Sequence, residues 1–308
     1  MNLFRSLDDF PSQFRGGAVS IGNFDGVHAG HARLVAALRD KARQVAGPAV
    51  VFTLDPHPAR VLRPEQTPPS LSWTERKAEL LERLGVDAVI AYPTDRTFLR
   101  LDPVAFFERV VVGSLQARAV VEGPNFYFGS NRSGDLEMLG RLCSEAGMVL
   151  EVAEPVRVGG EIVSSSRIRR LVGEGAIEQA NRMLTEPYRI RGVVVRGEGR
   201  GRQLGYPTAN LSRIDTLLPG EGIYAARAWV DGAAWPAALS LGPNLTFGES
   251  EVKVEAYLVG YEGVLYDRTV EVDFLARLRD IERFSGVDSL IARMRRDVEA
   301  VERIVAAV

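Results

Sequence analysis

The chain contains little cysteine, lysine or histidine for its length of 308 residues. Cys143 is the only cysteine, which excludes an intrachain disulfide and favours a reducing compartment such as the cytoplasm. No apolar run approaches the roughly 18 residues that a membrane-spanning helix requires. The opening MNLFRSLDDFPSQF carries acids and lacks the continuous apolar core of a signal peptide. The sequence therefore predicts a cytoplasmic protein that does not enter a membrane.

The scarcity of lysine excludes one common way of holding ATP. The lysines are Lys41, Lys77 and Lys253, and none of them follows a glycine. A P-loop requires Gly-Lys-Ser/Thr, so it is absent. The glycine-rich run GEGRGRQLG (197–205) lacks the spacing of a dinucleotide fingerprint. If this protein binds nucleotides, it does so by another route.

Composition and charge are those of an ordinary globular protein. Hydrophobic residues make up 46%, charged residues 25%, and the net charge is −2. This balance argues against a general nucleic-acid binder. The length is long for one hydrophobic core and comfortable for two domains.

The first part of the chain, residues 1–186, alternates short apolar runs with helical patterns. The runs that predict buried strands are AVSI (18–21), AVVFTL (49–54), AVIA (88–91), ARAVVE (117–122) and MVLEVA (148–153). Ser72 and Glu75 predict a capping box for a helix through Leu84, and Asp102-Pro103 predicts another helix start. Strand–helix alternation predicts a Rossmann-like α/β domain with a parallel sheet.

The pattern changes in residues 187–308, where strand-like segments follow one another. They are YRIRGVVVR (188–196), GIYAARAWV (222–230), AAWPAALSL (233–241), EVKVEAYLVG (251–260) and RTVEVDFL (268–275). Asp231-Gly232 and Glu262-Gly263 stand where two-residue hairpin turns are expected. These features predict a closed antiparallel β-barrel or a sandwich, followed by one amphipathic helix over 287–306.

The stretch SIGNFDGVHAGH (20–31) concentrates chemistry in one turn, because it holds two of the three histidines. It follows the first predicted strand and leads into a helix near Ala29, at the sheet edge where α/β domains bind ligands. His28 and His31, three residues apart on a first helical turn, point the same way. A helix N-terminus attracts phosphate, and imidazoles there can donate to a phosphoryl group. A capping pair, surface histidines, or a zinc site with His57 are the alternatives.

These residues carry a resemblance. GNFDGVHAGH resembles the HxGH signature of the nucleotidylyltransferase superfamily, in the form found in prokaryotic bifunctional riboflavin kinase/FAD synthetases. FTLDPHP (52–58), NFYFGSNRSGD (125–135) and VSSSRIRRLV (163–172) resemble the family's further motifs, in the same order. The resemblance implies an FMN adenylyltransferase domain over residues 1–186.

The resemblance also implies site residues in this domain. His28, His31 and Arg169 are the expected catalytic residues. ATP and its phosphates are expected to contact Gly22, Phe24, Asp25, Gly30, Asn125, Ser164, Ser165 and Ser166. The flavin is expected near Pro56, His57, Pro58, Phe126 and Phe128. A serine-capped surface helix, a structural turn and core phenylalanines are the corresponding structural alternatives.

The string GRGRQLGYPTAN (199–210) resembles the GRGxxLGxPTAN motif of riboflavin kinases, which implies a kinase barrel over residues 187–308. By this resemblance Thr208 and Asn210 hold the Mg²⁺ of MgATP, whose preferred ligands are oxygens. The nucleotide is expected to contact Gly199, Gly201, Arg202, Gly205 and Pro207. An RGG-like RNA-binding loop or a simple hairpin at Pro207 is the alternative.

A kinase also uses a group that accepts the proton of the attacking hydroxyl. In EVKVEAYLVG, period-two alternation puts Val252, Val254, Ala256 and Leu258 on one face of a strand. Glu255 lies on the other face with Lys253 and Tyr257. The resemblance makes Glu255 the catalytic base, whereas the strand alone favours a solvated charge.

The sequence departs from the family pattern at Leu245, where proline is usual, at Asp267, where glycine is usual, and at the Gly-Pro pair in VEGPNF (121–126). The predicted function is phosphorylation of riboflavin to FMN, then adenylylation of FMN to FAD, with ATP and Mg²⁺. Alternatives are a member that retains one activity, a non-catalytic flavin- or nucleotide-binding regulator, and a nucleotidylyltransferase acting on another phosphate. No nucleic-acid or membrane partner is expected, and a homo-oligomer is possible.

Overall fold

The computed structural model describes residues 2–243 and 252–307. The chain divides into two compact units, one of Met1–Pro68 with Trp73–Ser164 and one of Pro69–Ser72 with Ser165–Val308. Leu245, where the sequence departs from the family pattern, lies outside the described residues. The domain boundary at residue 186 stays a prediction.

The first unit contains a six-stranded sheet in which every neighbouring pair is parallel. Its strands are β1 (Leu3–Phe4), β2 (Ala18–Ile21), β3 (Ala49–Asp55), β4 (Ala88–Pro93), β5 (Ala119–Glu122) and β6 (Val149–Val152), in the order β1-β4-β3-β2-β5-β6. The five predicted segments are confirmed as strands, but the burial predicted for the last of them is wrong, because Val149 and Val152 of β6 are exposed. The strand β1 was not predicted, because two residues are too few to show a period.

Helices cover the sheet on both faces. They are α1 (Ala29–Gln44), α2 (Pro58–Leu62), α3 (Thr74–Arg83), α4 (Pro103–Phe106), which continues as a π-helix over Phe107–Ser114, and α5 (Leu136–Glu145). Val50 and Phe52 of β3 belong to one apolar cluster, and Ala49 and Val51 belong to another. A sheet buried on both faces confirms the predicted Rossmann-like α/β fold. A short hairpin of β7 (Arg157–Val158) and β8 (Glu161–Ile162) follows β6.

The two predicted helix starts had different outcomes. The Asp102 side chain accepts a hydrogen bond from the N–H of Ala105 at 2.8 Å, with Pro103 in the first turn, so this cap is confirmed. The helix predicted to run through Leu84 begins at Thr74, one residue later than a capping box at Ser72 and Glu75 places it, and the box itself stays a prediction. The N-cap of this helix is Trp73, which makes no side-chain capping bond.

The strand order places a crevice between β2 and β5. From β2 the chain proceeds through β3 to β4 on one side, and β5 then pairs on the other side of β2. Such a reversal leaves a gap beyond the carboxyl ends of the two strands, where α/β proteins bind ligands. The turn that carries His28 follows β2 at this edge, and the loop that carries Asn125 follows β5.

The second unit is built around a closed six-stranded antiparallel barrel, with the order β10-β13-β12-β11-β14-β9. Its strands are β9 (Arg189–Val195), β10 (Ala209–Ser212), β11 (Gly222–Val230), β12 (Ala233–Gly242), β13 (Lys253–Leu258) and β14 (Thr269–Arg279). Its helices are α6 (Ser165–Gly173), α7 (Ile177–Asn181), α8 (Arg200–Gln203) and α9 (Val287–Ala306). The barrel and the C-terminal helix are confirmed, and β10 was missed.

The two predicted hairpin turns also differ in outcome. Val230 pairs with Ala233, and the turn residues Asp231 and Gly232 have φ values of 51° and 79°. This geometry is that of the tight turn that suits the twist of a hairpin. The prediction of a two-residue hairpin turn at Glu262-Gly263 is wrong, because β13 ends at Leu258 and this pair lies within a longer connection to β14.

The alternation along β13 is confirmed within the strand. Val254, Ala256 and Leu258 are buried, whereas Glu255 and its neighbours Lys253 and Tyr257 are half-buried on the outer face. The helix α9 packs against β11, β12 and β14. Within residues 2–243 and 252–307, no helix has both the length and the apolar character needed to cross a bilayer.

Candidate active sites

The histidine turn is a helix cap built from two imidazoles. Nδ1 of His28 accepts from the backbone N–H of His31 at 3.3 Å, and Nδ1 of His31 accepts from the backbone N–H of His28 at 3.3 Å. The two rings stack with centroids 3.6 Å apart and planes 13° apart. The prediction that both histidines lie on the first turn and face the same way is confirmed. The same two imidazoles cap α1, so the capping alternative is also confirmed.

This cap fixes the tautomer that each neutral ring adopts. Because each Nδ1 accepts a backbone N–H, a neutral ring carries its proton on Nε2, where it can act as a donor. Burial lowers the pKa of His31 well below its ordinary value, and the nearby His28 and Lys77 lower it further. His31 is therefore a neutral donor at pH 7.

The other predicted residues of this turn shape the cap. A Cβ at Gly30 would lie 3.1 Å from two ring atoms of His28, so glycine lets the ring lie over the helix start. Phe24 is 2% exposed, and its ring centroid lies 5.0 Å from that of His31. Asp25 is buried as well, at 7% exposure. Phe24 and Asp25 therefore support the turn from inside, whereas Gly22 lines the neighbouring cavity.

The cavity next to the turn has a volume of about 750 Å³ and brings the first three motifs together. Its lining includes Gly22, His57, Pro58, Asn125, Phe126 and Phe128. Pro56 directly follows β3 and precedes His57 and Pro58 in the chain. The Phe126 and Phe128 rings stack with centroids 5.5 Å apart. Phe128 is buried in the apolar core, so the core alternative applies to it, whereas Phe126 is half-buried.

His57 lines the cavity and also caps a short helix, in agreement with the structural-turn alternative. It is the N-cap of α2, and its Nδ1 accepts from the N–H of Ala59 at 3.1 Å. The side-chain amide of Asn23, a motif residue that the sequence analysis did not single out, lies 3.0 Å from Nε2 of His57. The turn after β2 and the turn after β3 are thus joined at the cavity.

Glu122 is a buried acid that the sequence analysis passed over. It ends β5, is 2% exposed, and its carboxyl oxygen accepts from the N–H of Ile21 at 2.7 Å. Pairing between β2 and β5 is recorded only at Ala18 and Val19, so the side chain of Glu122 satisfies the N–H that the diverging strand presents. Burial raises the pKa of Glu122 well above its ordinary value. The sequence signal that could have identified Glu122 is an acid at the end of an apolar strand, directly before a glycine turn.

The serine–arginine motif forms the start of a helix. α6 begins at Ser165, so Ser165, Ser166 and Arg169 belong to the second unit, and Ser164 ends the first. Nε of Arg169 donates to the carbonyl oxygen of Pro69 at 2.8 Å. The predicted short helix with serines at its start is confirmed.

The second unit has its own cavity on the outer face of the barrel. Gly199, Arg200, Gly201, Thr208 and Glu255 line it together. Arg202, Gly205 and Pro207 are exposed on the same motif segment. The structure therefore brings part of the predicted nucleotide loop to the cavity and leaves the rest at the surface.

Glu255 stands in a row of polar side chains across three strands. Asn210 of β10 is its direct partner on one side, and Ser240 of β12 is its partner on the other. Directly opposed residues in an antiparallel pair have Cβ atoms roughly 4.5–5.5 Å apart. Thr208 precedes Asn210 by two residues, so both project to the face that carries Glu255.

Glycines bring the preceding loop against these oxygen ligands. A Cβ at Gly197 would overlap the Asn210 amide, and a Cβ at Gly201 would lie 3.3 Å from Oγ1 of Thr208. Hydroxyl and amide oxygens suit Mg²⁺, which takes much of its shell from phosphates. Nowhere in the described ranges do three or more His, Cys, Asp or Glu cluster as a metal site. The Thr208–Asn210 pair therefore fits a metal that arrives with a nucleotide.

The structure accommodates one departure from the family pattern, the aspartate at position 267. Asp267 has a φ of 63°, in the left-handed region that favours glycine. Aspartate is among the residues that tolerate this region best. The substitution at this position therefore keeps the backbone turn before β14.

Comparison with known proteins agrees with both units. The FAD synthetase family model matches residues 10–167, and the riboflavin kinase family model matches residues 184–305. A crystal structure from Streptococcus pneumoniae, described as a macrolide-efflux protein, has a TM-score of 0.85 and 29% identity, covering 97% of this chain and 98% of that one.

Two bacterial relatives match along nearly their whole length, and each is a bifunctional riboflavin kinase/FMN adenylyltransferase. The Pseudomonas fluorescens protein is 33% identical, over 99% of this chain and 98% of its own. The Haemophilus influenzae protein is 30% identical, over 98% of each chain. With both domains present in one chain, this protein belongs to the bifunctional riboflavin kinase/FMN adenylyltransferase family of transferases.

Proposed function

We propose that this chain phosphorylates riboflavin to FMN and then adenylylates FMN to FAD, using ATP in both steps. The observation that carries the proposal is that each unit has its own cavity, lined in part by residues of the nucleotide-binding motifs. One cavity adjoins a turn whose imidazoles can donate from Nε2. The other contains a carboxylate beside neutral oxygen ligands. The two arrangements suit two different phosphoryl chemistries.

In the barrel, the 5′-hydroxyl of riboflavin attacks the γ-phosphorus of ATP, and ADP leaves. Glu255 accepts the hydroxyl proton, because among the carboxylates that line the cavity it is the one paired directly with Asn210 across the strands. Thr208 and Asn210 would hold Mg²⁺, which neutralises phosphate charge when it is bound. The loop that contains Gly199 and Gly201 lies against Thr208 at the cavity, and its backbone positions the nucleotide.

In the α/β unit, an FMN phosphate oxygen attacks the α-phosphorus of ATP, and pyrophosphate leaves. The nucleophile is already an anion, so no side-chain base is needed. The Nε2–H groups of His28 and His31 donate to the phosphoryl oxygens on which charge develops, and the N-terminus of α1 adds its partial positive charge. By the family resemblance, Arg169 and the serines of the α6 motif are expected to bind ATP phosphates, and a serine-capped helix start with an arginine has the chemistry to do so.

The flavin of FMN is proposed to occupy the cavity of the first unit. His57, Pro58, Asn125, Phe126 and Phe128 line this cavity, and Pro56 directly precedes His57 in the chain. Phe126 offers the more accessible aromatic face. The first domain is proposed to span residues 1–186 and the second residues 187–308. The single cysteine and balanced charge support a cytoplasmic enzyme without nucleic-acid partners.

The test is a chromatographic assay of the purified chain with riboflavin, ATP and Mg²⁺. The proposal predicts that FMN appears first and that FAD and pyrophosphate follow. A chain that makes only FMN from riboflavin, or converts only added FMN to FAD, would support the single-activity alternative. Unchanged riboflavin and FMN, with flavin fluorescence quenched on binding, would support the regulator alternative.

A further inference from the structure

The helix α9 forms one wall of the barrel cavity. Leu290, Met294 and Val298 line the cavity at helical spacing, while Ile223 and Tyr257 line it from the barrel strands. The cavity encloses about 170 Å³, which is below the roughly 300–1,000 Å³ of typical small-molecule sites. The separation between α9 and the barrel therefore decides whether a flat ring system can enter.

Apolar burial holds α9 mainly near its C-terminal end. Val301 is fully buried, whereas Leu290 and Met294 are half-exposed toward the cavity. The other buried residue of this helix is an acid, Asp297, at 7% exposure. A buried carboxylate is unfavourable unless it is paired and hydrogen-bonded. The position of the cavity wall thus depends on what pairs with Asp297.

Arg279, the last residue of β14, is the partner of Asp297. Its Nη2 lies 2.8 Å from Oδ2 of Asp297, and its Nε lies 3.1 Å from Oδ2 and 3.3 Å from Oδ1. This two-pronged contact is the strongest geometry available to an arginine–carboxylate pair. Arg279 is the β-sheet partner of Ile223, so it stands at the cavity floor.

Two more charged side chains extend the pair. Oε1 of Glu282 lies 3.1 Å from Nη1 of Arg279 and 3.4 Å from Nε of Arg293. Arg293 is one turn before Asp297 on α9, and its Nε is 3.4 Å from Oδ1 of that residue. The network joins the end of a barrel strand, the segment that follows it, and the helix. A helix held in this way has a defined distance from the barrel.

We propose that Arg279 and Asp297 are positioning residues for riboflavin, whose ion pair fixes α9 at the separation from the barrel that the flavin requires. The inference rests on the proposed kinase function of this cavity. Neither residue is assigned to the reacting atoms, so their loss is expected to weaken riboflavin binding and to spare the chemical step. Removing one partner breaks the two-pronged contact and leaves the other charge with only its longer contact, Arg279 to Glu282 or Asp297 to Arg293, which favours displacement of the helix.

The test compares Asp297→Asn and Arg279→Gln with the parent chain in steady-state kinase kinetics. The KM for riboflavin is expected to rise about tenfold or more, with kcat within about twofold. Conversion of added FMN to FAD is expected to stay at the parent rate. The matched control is Asp215→Asn, which removes a different arginine–aspartate pair of the barrel, with Arg191 at 2.6 Å, and should leave the KM for riboflavin unchanged.

An unchanged riboflavin KM in both variants, or a fall in kcat at constant KM, would overturn the inference. An equal rise in KM for Asp215→Asn would also overturn it, because the effect would then be general to the barrel. Arg279→Lys, which keeps the charge but not the two-pronged contact, is expected to give a smaller rise and serves if the other variants do not fold. A parent chain that makes no FMN refutes the proposed kinase function itself.

Discussion

Asn210 and Glu255 face each other directly across β10 and β13, as paired residues of the closed barrel. One belongs to the glycine-rich motif and the other to a strand that follows it by more than forty residues in the sequence. The barrel therefore places an amide oxygen, which suits a metal–nucleotide complex, beside the carboxylate proposed to accept a proton. This proximity is the structural basis for assigning phosphoryl transfer to the second unit.

Replacing Glu255 with glutamine tests the proposed base. Glutamine keeps the size and polarity of the side chain but cannot accept the hydroxyl proton, so kcat for FMN formation should fall by roughly 10²–10⁴-fold. The KM for ATP should change little. Glu262→Gln, at an exposed position between β13 and β14, is the control and should retain full kinase activity. A Glu255→Gln enzyme with the parent kcat would exclude the role.

His28→Ala tests the imidazole donor in the first unit. Loss of one transition-state donor should slow FMN adenylylation by roughly 10²–10³-fold and spare the kinase. Because His28 also caps α1, the variant His28→Asn separates the two roles, since asparagine is a good N-cap but lacks Nε2. Both variants should be slow. Recovery of the normal rate by asparagine would show that only the cap matters.

The pH dependence of adenylylation follows from the low pKa of His31. Burial lowers this pKa well below 6.5, so His31 should contribute no titration near 6.5 to the rate of FMN conversion. The same shift affects stability, because the unfolded chain takes up a proton below pH 6.5 that the folded site resists. The thermal midpoint of the parent should therefore fall relative to His31→Gln as the pH drops below 6.5. Equal changes of the thermal midpoint in the two proteins below pH 6.5 would contradict the neutral, buried state of His31.

The raised pKa of Glu122 predicts the opposite dependence of stability on pH. Its pKa is raised well above 4.5, so above pH 4.5 the folded chain keeps a proton that the unfolded chain has released. Stability should therefore decrease as the pH rises through the raised pKa, and Glu122→Gln should remove this dependence while it keeps an acceptor for the N–H of Ile21. Glu122→Leu loses the acceptor and should lower the unfolding free energy by about 1–3 kcal/mol. Thermal melts of the three proteins from pH 5 to 8 provide the measurement, and identical pH profiles would refute the assignment.

The sequence predicted those features that depend on local patterns. Five of the six strands of the parallel sheet could be predicted because each is an apolar run between turn residues, and α9 has the predicted bounds 287–306. The stacked histidines follow from their spacing on one turn. β10 was missed because its residues were treated as part of a polar motif, although Asn210 and Leu211 alternate as in a strand.

Features that depend on distant partners could not be predicted. The N–H of Ile21 is satisfied by Glu122, a hundred residues later, only because β2 and β5 diverge. Asp297 has the sequence environment of a surface helix residue and is buried because Arg279 reaches it. The helix α3 starts at Thr74, one residue after the position that the local motif at Ser72 favours.

The most direct measurement of the central claim, that two independent sites act in sequence, is the product profile of Asn210→Ala. The variant is incubated with ATP and Mg²⁺ and is given riboflavin in one reaction and FMN in another. The account predicts no FMN or FAD from riboflavin, and FAD from FMN at the parent rate. FMN formation at the parent rate, or loss of both conversions in a variant whose circular dichroism and thermal melt match the parent, would contradict it.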